Sequence, residues 1–240
     1  MSNTFHEITI GDCRLILGDM LEVLPELDVS ADLVVTDPPY LLTSGGTAEQ
    51  SMGGIFAHAA YANDGALMDV VPWNDMGGPL YRACAANADC YVMSNDKNIF
   101  AAGGAFLGAG WQFHNLLAWD KVRATRNRWY MKHLEYTLYF WKGAADPKGI
   151  NDCGSKQLFT LNAPRRSDHP TEKPVELFSH YILNSSHQGD LVLDPFMGSG
   201  TAMLSCIAHG RRGIGIEKDP DHFATAVKAV TEAYQAKEAA

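Results

Sequence analysis

The feature of this sequence that most constrains its fold is a short apolar run that stops at two prolines. Residues 33–35 (LVV) have the apolar, β-branched character of a buried strand, and Asp37, Pro38, Pro39 and Tyr40 follow it closely. Because each proline fixes its φ angle and lacks an N–H donor, the chain should leave the sheet stiffly. The segment presents a carboxylate, free carbonyls and an aromatic ring together. It can hold an amine and stack a flat ring, although a simple proline turn is an alternative that these four residues leave open.

The rest of the sequence alternates between strand-like and helix-like segments. A strand pattern over residues 13–17 precedes a helix pattern over residues 20–27 and then the strand before Asp37, which is the order found in parallel sheets. The alternation continues with predicted strands over residues 90–93, 113–119, 136–141, 191–193 and 212–216, and predicted helices over residues 79–88, 97–107, 175–186, 201–209 and 219–236. The fold class predicted from this order is α/β.

Length and composition are those of one globular domain. The chain has 240 residues, of which 46% are hydrophobic, and these suffice for a large core. No apolar run approaches the length needed to span a bilayer, and the first eleven residues lack the pattern of a signal peptide, so we expect a cytoplasmic protein without membrane contact. The five cysteines are scattered without a CxxC pair, which favours reduced core thiols over a metal site: Cys13, Cys84, Cys90, Cys153 and Cys206.

Residues 43–78 break the alternation and contain seven glycines. A loop of this length in a compact domain is usually a lid, a binding loop or a disordered segment. Because the loop leaves directly from the proline segment at Tyr40, we predict a mobile lid rather than inert disorder.

The distribution of charge separates one basic region from an acidic remainder. The net charge of −9 argues against a nucleic-acid partner if it is taken globally. Residues 121–173, however, contain eleven Lys or Arg against five Asp or Glu, a net charge of +6, so the remainder carries −15. One region of an otherwise acidic protein is therefore suited to a polyanion.

Over residues 121–132 of this region, basic and aromatic side chains are interleaved without an intervening acid. Basic residues suit phosphates and aromatic rings suit bases, which is a pattern typical of nucleic-acid binding. A solvated basic loop is the alternative. The candidates for phosphate contacts are Lys121, Arg123, Arg126, Arg128 and Lys132, and Trp129 is a candidate for stacking or wedging.

A second functional loop follows the predicted strand at residues 191–193. Its sequence, DPFMGSGT, ends where a helix begins, and small residues there let a ligand approach the backbone and the helix N-terminus. Glu217 ends the next predicted strand, where a carboxylate can bind both hydroxyls of a ribose. The dinucleotide fingerprint would need glycine in place of Met203, and no phosphate-loop Gly-Lys-Ser/Thr is present. The pattern predicts a site for adenosine without phosphate recognition, which S-adenosylmethionine satisfies.

Four ordered motifs resemble those of the DNA amino-methyltransferases: DPPY at residues 37–40, HPTEKP at 169–174, DPFMGSGT at 194–201, and Glu217 after the following strand. Their order is similar to that of the β-group of this family, and the chain looks most like small solitary or phage-type N6-adenine enzymes. The resemblance implies a doubly wound, mostly parallel, Rossmann-like sheet with an antiparallel terminal hairpin and a circularly permuted motif order. It implies one methyltransferase domain over residues 1–240, with the lid at about 43–78 and a small DNA-recognition region at about 143–168.

The resemblance also implies roles for individual residues. Asp37, Pro38, Pro39 and Tyr40 would form the catalytic segment, in which Asp37 and the Pro38 carbonyl hold an exocyclic amine and Tyr40 stacks on the flipped base. Residues implied to bind S-adenosylmethionine are Asp19 at the adenine amine, Glu217 at the ribose, Thr171 and Lys173 at the carboxylate end, and Asp194, Phe196, Gly198, Ser199 and Gly200 around the ribose and methionine.

The implied activity is methyl transfer to N6 of adenine in double-stranded DNA, as in restriction–modification systems or by a solitary enzyme. Aspartate at the first position of the proline motif leans towards adenine within the family, whereas serine leans towards cytosine. N4-cytosine methylation and a catalytically inactive DNA-binding module remain alternatives, and Met203 disfavours a nicotinamide oxidoreductase. The resemblance is also compatible with a homodimer. The target sequence cannot be read from these residues.

Overall fold

The computed structural model describes residues 5–40, 70–125, 130–143, 149–162 and 173–239, which form nine strands and six helices. The strands are β1 (His6–Ile10), β2 (Cys13–Leu17), β3 (Ala31–Thr36), β4 (Cys84–Ser94), β5 (Gln112–Thr125), β6 (Lys132–Lys142), β7 (Leu158–Thr160), β8 (Leu191–Asp194) and β9 (Arg212–Glu217). The helices are α1 (Met20–Glu26), α2 (Trp73–Ala83), α3 (Ile99–Gly108), α4 (Val175–Ser185), α5 (Thr201–His209) and α6 (Pro220–Glu238).

All nine strands belong to one sheet in the order β1-β2-β9-β8-β3-β4-β6-β5-β7. The five central strands from β2 to β4 are parallel to their neighbours. Strands β4, β6 and β5 pair antiparallel, so β5 and β6 form the antiparallel hairpin that the resemblance implied. Two short strands lie at the edges, with β1 antiparallel to β2 and β7 parallel to β5.

Helices cover both faces of this sheet, and the strands alternate between two hydrophobic clusters. Leu33 and Val35 pack in one cluster with buried side chains of α4, α5 and α6. Val34, between them, packs in the other cluster with side chains of α1, α2 and α3. A strand that is buried on both faces explains why residues 33–35 are all apolar. The predicted α/β, doubly wound, mostly parallel architecture is confirmed.

Most predicted elements are present with small changes at their ends, but the prediction for helix α2 was wrong. It spans Trp73–Ala83 rather than residues 79–88, and residues 84–88 belong to β4. Residues 73–78 are therefore helical instead of forming the end of the predicted lid. Gly77 was read as a loop residue, yet a Cβ added there would lie 2.9 Å from Ala109 Cβ, so this glycine lets α2 pack closely against the end of α3. Residues 43–69 of the predicted lid lie outside the described residues.

The hairpin is longer than predicted, because β5 and β6 extend through much of the basic segment. Lys121 and Arg123 lie on β5 and Lys132 begins β6, so the alternative of a basic loop is wrong for these residues. Strands β1 and β7 were not predicted, and β7 lies within the segment predicted as a small DNA-recognition region.

The structure also bears on the cysteines and on membrane insertion. All five cysteines are free thiols, and four are buried, but Cys153 is exposed, so its prediction as a core thiol is wrong. Among the helices of the described ranges, none combines the length and the apolar character that crossing a bilayer requires.

Candidate active site

Four acidic residues that were predicted from the sequence to belong to the site lie at one edge of the sheet. Strands β2, β9, β8 and β3 are parallel neighbours, so their carboxyl ends lie side by side. Asp19 follows β2, Glu217 ends β9, Asp194 ends β8, and Asp37 follows β3. Ligands of open α/β sheets bind at this carboxyl edge. The two loops predicted from sequence are therefore adjacent in space.

Asp37 uses only one of its two oxygens. Its Oδ2 accepts a hydrogen bond of 2.7 Å from Lys173 Nζ, whereas Oδ1 is inaccessible to solvent and has no hydrogen-bond partner among the described residues. Burial raises the pKa of Asp37 above its ordinary value, and the ammonium of Lys173 partly offsets this effect. A buried acceptor without a donor costs about 1–3 kcal/mol. Asp37 is thus held ready for a donor from outside the described structure.

Lys173 connects Asp37 to a carboxylate that the sequence did not single out. Its Nζ lies 3.2 Å from Glu135 Oε2 on β6, and the other oxygen of Glu135 lies 2.9 Å from Lys121 Nζ on β5. Despite the opposing effect of burial, the two lysines lower the pKa of Glu135 to about 2. Lys173 was predicted at the carboxylate end of the cofactor, and in this structure its ammonium binds the carboxylates of Asp37 and Glu135.

Tyr40 completes the proline segment with an aromatic surface. Its ring stacks on Trp73 at the start of α2, with 5.9 Å between ring centroids and 22° between planes. Burial, and next the charge of Asp37, raise the pKa of Tyr40 well above its ordinary value, so the phenol stays neutral. Pro38 is buried, and Pro39 is partly buried between Pro38 and Tyr40. These residues place an amine acceptor and a flat ring close together, as predicted.

The second loop is fixed to the first by a buried hydrogen bond. Thr36 Oγ1 donates to Asp194 Oδ1 at 2.8 Å, and the same oxygen accepts the backbone N–H of Phe196 at 3.1 Å. Gly198 has a φ of +54°, which favours glycine, and a Cβ added there would meet no atom of another residue within 4 Å. Open space therefore adjoins the backbone of Gly198, as a loop that binds a ligand requires.

Glu217 supports this loop from the neighbouring strand. Its Oε2 accepts the N–H of Gly198 and its Oε1 accepts the N–H of Asp219, both at 2.8 Å. A carboxylate has about four acceptor positions, so these two bonds leave capacity for hydroxyl donors. Glu217 therefore shapes the loop of residues 194–201, the glycine loop, and can also bind a diol.

Asp19 lies beside Glu217 and starts helix α1. Its Oδ1 accepts the N–H of Leu21 as an N-cap, and Oδ2 lies 3.2 Å from Lys218 Nζ. The N-cap role fixes the orientation of this carboxylate. Its remaining acceptor capacity suits an amine such as that of adenine.

The predicted DNA-contacting residues differ in how available they are. Lys121 is bound to Glu135, Lys132 pairs with Asp96 at 2.8 Å in an exposed position, and Arg123 is exposed. Arg126, Arg128 and Trp129, and likewise Thr171 of the cofactor set, lie outside the described residues. Lys121 therefore has a partner within the protein, whereas Arg123 presents its side chain to solvent.

Comparison with known proteins shows which enzymes this chain resembles. The N6/N4 DNA methylase family model matches residues 154–228, which include α4, the glycine loop and Glu217. M2.LlaDCHI, a type II methyltransferase of Lactococcus lactis subsp. cremoris, is 25% identical over 237 residues, covering 89% of this chain and 87% of the relative. The chain is similar to DNA amino-methyltransferases over most of its length.

Solved structures of DNA methyltransferases share the fold. The M1.HpyAVI–SAM complex has a TM-score of 0.69 at 22% identity, covering 90% of this chain and 99% of that chain. The cytosine-N4-specific PvuII DNA methyltransferase has a TM-score of 0.71 at 17% identity, covering 95% and 93%. These likenesses establish the architecture, and the assignment of each residue rests on the geometry of this site.

Sequence reasoning missed two residues of this site, Glu135 and Trp73. Neither lies in a recognisable motif, and both reach the proline segment only through the fold. Glu135 is nevertheless the one acidic residue between Asp120 and Asp146. A single acid in a long basic stretch is a signal that could have found it.

Proposed function

We propose that this methyltransferase transfers a methyl group from S-adenosylmethionine to N6 of adenine in double-stranded DNA. The unpaired, buried Oδ1 of Asp37 is the observation that carries the proposal, because it needs a donor such as an exocyclic amine. An adenine inside a duplex cannot reach this atom, so the base must flip out, at a cost of a few kcal/mol.

The residues of the proline segment have distinct tasks in this reaction. The Asp37 carboxylate and the Pro38 carbonyl accept the two N6 hydrogens, which turns the nitrogen towards a tetrahedral geometry with its lone pair exposed. Tyr40, backed by Trp73, stacks on the adenine ring and fixes its plane. Positioning and fixed charges supply most of the acceleration.

Asp37 also suits the proton transfer that the reaction requires. When the N6–methyl bond forms, the nitrogen must lose one proton, and the nearest base is the carboxylate that already accepts its hydrogen bond. Because burial raises the pKa of Asp37, this carboxylate is a stronger base than an exposed aspartate. Asp37 receives the proton and then releases it to solvent.

The neighbouring loop fits S-adenosylmethionine, on the evidence of the open space beside Gly198 and the carboxylates at this edge of the sheet. Glu217 would bind the ribose hydroxyls and Asp19 the adenine amine. Asp194, Phe196, Gly198, Ser199 and Gly200 would surround the ribose and methionine, with Thr171 near the carboxylate end. When bound, this cofactor supplies an electrophilic methyl group on a sulfonium.

The hairpin of β5 and β6 is the proposed contact for the DNA backbone. Arg123 is exposed on it, and the surrounding segment is basic. Double-stranded DNA is the proposed partner, and a homodimer would enlarge a recognition region that is small in one chain. Sedimentation of the purified protein with and without duplex DNA tests this assembly.

N4 of cytosine is a second candidate substrate. It is also an exocyclic amine, and the cytosine-N4-specific PvuII enzyme has the same architecture. Aspartate at position 37 favours adenine by the resemblance stated above. The choice of base is therefore tested by identifying the product.

The deciding experiment incubates the purified protein with S-adenosylmethionine and duplex DNA, digests the DNA and analyses the nucleosides by mass spectrometry. N6-methyladenine among the products supports the proposal. N4-methylcytosine alone would show that cytosine, the second candidate, is the substrate. DNA that is bound without being methylated would identify an inactive binding module.

A further inference from the structure

A chain of alternating charges runs from the hairpin to the proline segment. Lys121 on β5 binds Glu135 on β6 at 2.9 Å, Glu135 lies 3.2 Å from Lys173 before α4, and Lys173 binds Asp37 at 2.7 Å. The four side chains are between 11% and 26% exposed, so solvent screens them only partly. Two acids and two bases balance, which makes this network neutral as a whole.

The two carboxylates differ in how many of their oxygens bind a lysine. Glu135 uses Oε1 for Lys121 and Oε2 for Lys173, whereas Asp37 uses only Oδ2 towards the residues that the structure describes. Lys173 has three donors and could cover both oxygens of Asp37 if Asp37 were its only partner. The second carboxylate draws the ammonium to one side and prevents this.

We propose that Glu135 is a positioning residue for methyl transfer, which holds Lys173 so that its ammonium binds Oδ2 of Asp37 and leaves Oδ1 for the amine of the target base. The inference rests on the proposed function, since it assigns the free oxygen to a base amine. Lys121 anchors Glu135 in turn: Glu135 pairs with Trp119 across the hairpin, two residues from Lys121, which makes the ion pair a diagonal contact between the strands.

Charged and titratable groups reach Asp37 from several elements. Lys173 before α4, Glu135 on β6 and Tyr40 in its own segment surround it, Asp194 at the end of β8 repels it, and Asp96 after β4 acts on Tyr40. Glu135 raises the pKa of Asp37 in two ways. Its own charge raises that pKa directly, and by keeping the ammonium of Lys173 away from Oδ1 it weakens the interaction that lowers that pKa.

The test replaces Glu135 with glutamine and measures methyl transfer as a function of pH. In Glu135→Gln, Lys173 can cover both oxygens of Asp37 and the repulsion from Glu135 is lost, so Asp37 should bind its proton at lower pH, and the acid limb of kcat should move down by about one pH unit. A misplaced Lys173 also lowers kcat about 10- to 100-fold, with KM for DNA and for S-adenosylmethionine nearly unchanged. A limb that moves up or stays in place overturns the inference, and so does a limb that moves down without a loss of kcat.

Glu7→Gln is the matched control. Glu7 also pairs with a basic side chain, Arg14 at 2.8 Å, but this pair joins β1 and β2 at the other edge of the sheet. Its acid limb and kcat should equal those of the wild type. A shift of equal size in this control would attribute the effect to a general loss of charge and overturn the inference.

A second readout does not depend on activity. Carbon-13 labelling of aspartate carboxyls, with assignment through an Asp37→Asn variant, gives the pKa of Asp37 directly, which should be lower in Glu135→Gln than in the wild type. If Glu135→Gln does not fold, Glu135→Asp, which keeps the charge on a shorter side chain, should give a smaller shift of the same sign. If the wild-type protein methylates no DNA, the proposed function is refuted. If the wild type is active but the pKa of Asp37 is the same in Glu135→Gln as in the wild type, only the role of Glu135 is refuted.

Discussion

Thr36 donates a 2.8 Å hydrogen bond to Asp194, and both side chains are almost completely buried. This bond links the ends of β3 and β8, and the residues that follow are the proline segment and the glycine loop. The two halves of the proposed reaction centre are therefore joined directly beneath the site. A rigid link of this kind favours precise placement of an amine relative to a methyl donor.

Asp194 should make the stability of the fold depend on pH. Burial is the main cause that raises the pKa of Asp194 to about 7. The folded state therefore holds this proton between about pH 4 and 7 while the unfolded state has lost it, so stability falls as the pH rises through that range. Asp194→Asn keeps an acceptor for Thr36 without the charge. Its free energy of unfolding relative to the wild type should increase by about 2–4 kcal/mol from pH 4 to pH 8. Urea denaturation at both pH values checks this, and a constant difference would contradict it.

Lys173 should contribute more to stability than an exposed lysine does. Lys173→Met leaves the carboxylates of Asp37 and Glu135 largely buried without their shared cation, and we expect a loss of about 2–4 kcal/mol near neutral pH. Lys218→Met is the control, because the Lys218 side chain is 55% exposed and its pair with Asp19 should be worth less than about 1 kcal/mol. Chemical denaturation measures both losses. Equal losses would show that the ion pairs of Lys173 stabilise the fold no more than an exposed ion pair does.

Tyr40 should act through its ring rather than its hydroxyl. Tyr40→Phe keeps the ring that stacks on Trp73, and it should retain kcat/KM for DNA within a few fold of the wild type. Tyr40→Ala removes a stacking surface worth about 1–3 kcal/mol per base, so kcat/KM should fall about 10- to 100-fold. Steady-state methyl transfer compares the two variants. A large loss in Tyr40→Phe would instead assign the chemistry to the phenol.

Arg123 and Lys121 should differ in their effect on DNA binding, although the sequence gives them equal weight. Arg123 is exposed, so Arg123→Ala should reduce the slope of log affinity against log salt by about one. Lys121 is already paired with Glu135, so Lys121→Ala should leave that slope nearly unchanged. Fluorescence anisotropy over a range of salt concentrations measures both, and identical slopes for the two variants would contradict this distinction.

The sequence predicted those parts of the site that depend on short stretches of chain. The strand before Asp37 and the loop after Asp194 are local patterns, and their placement at one edge follows from a parallel sheet. The contact between Lys173 and Asp37 joins residues 136 positions apart, and no periodicity reports such a pair. Trp73 was placed in a loop because Gly77 and Gly78 were read as breaks, whereas close helix packing explains the first of these glycines.

Strands with a clear hydrophobic pattern were predicted from the sequence, whereas strands without one were not. The apolar central strands were predicted because both faces are buried, which leaves a clear run of hydrophobic residues. The edge strands β1 and β7 are short and mostly exposed or partly exposed, so their side chains carry no such pattern. Glu135 escaped notice for a related reason: its partners come from another strand and from the segment before α4.

The assignment of Asp37 as the acceptor of the base amine is tested most directly by methyl transfer in Asp37→Ala. Labelled S-adenosylmethionine and duplex DNA measure the transfer, and calorimetry measures cofactor affinity on the same preparation. Lys173 keeps Glu135 as a partner in this variant, so the fold should persist. Transfer should fall by at least about a thousandfold while the cofactor Kd stays within a few fold of the wild type. Substantial methylation by Asp37→Ala would contradict the role proposed for this residue.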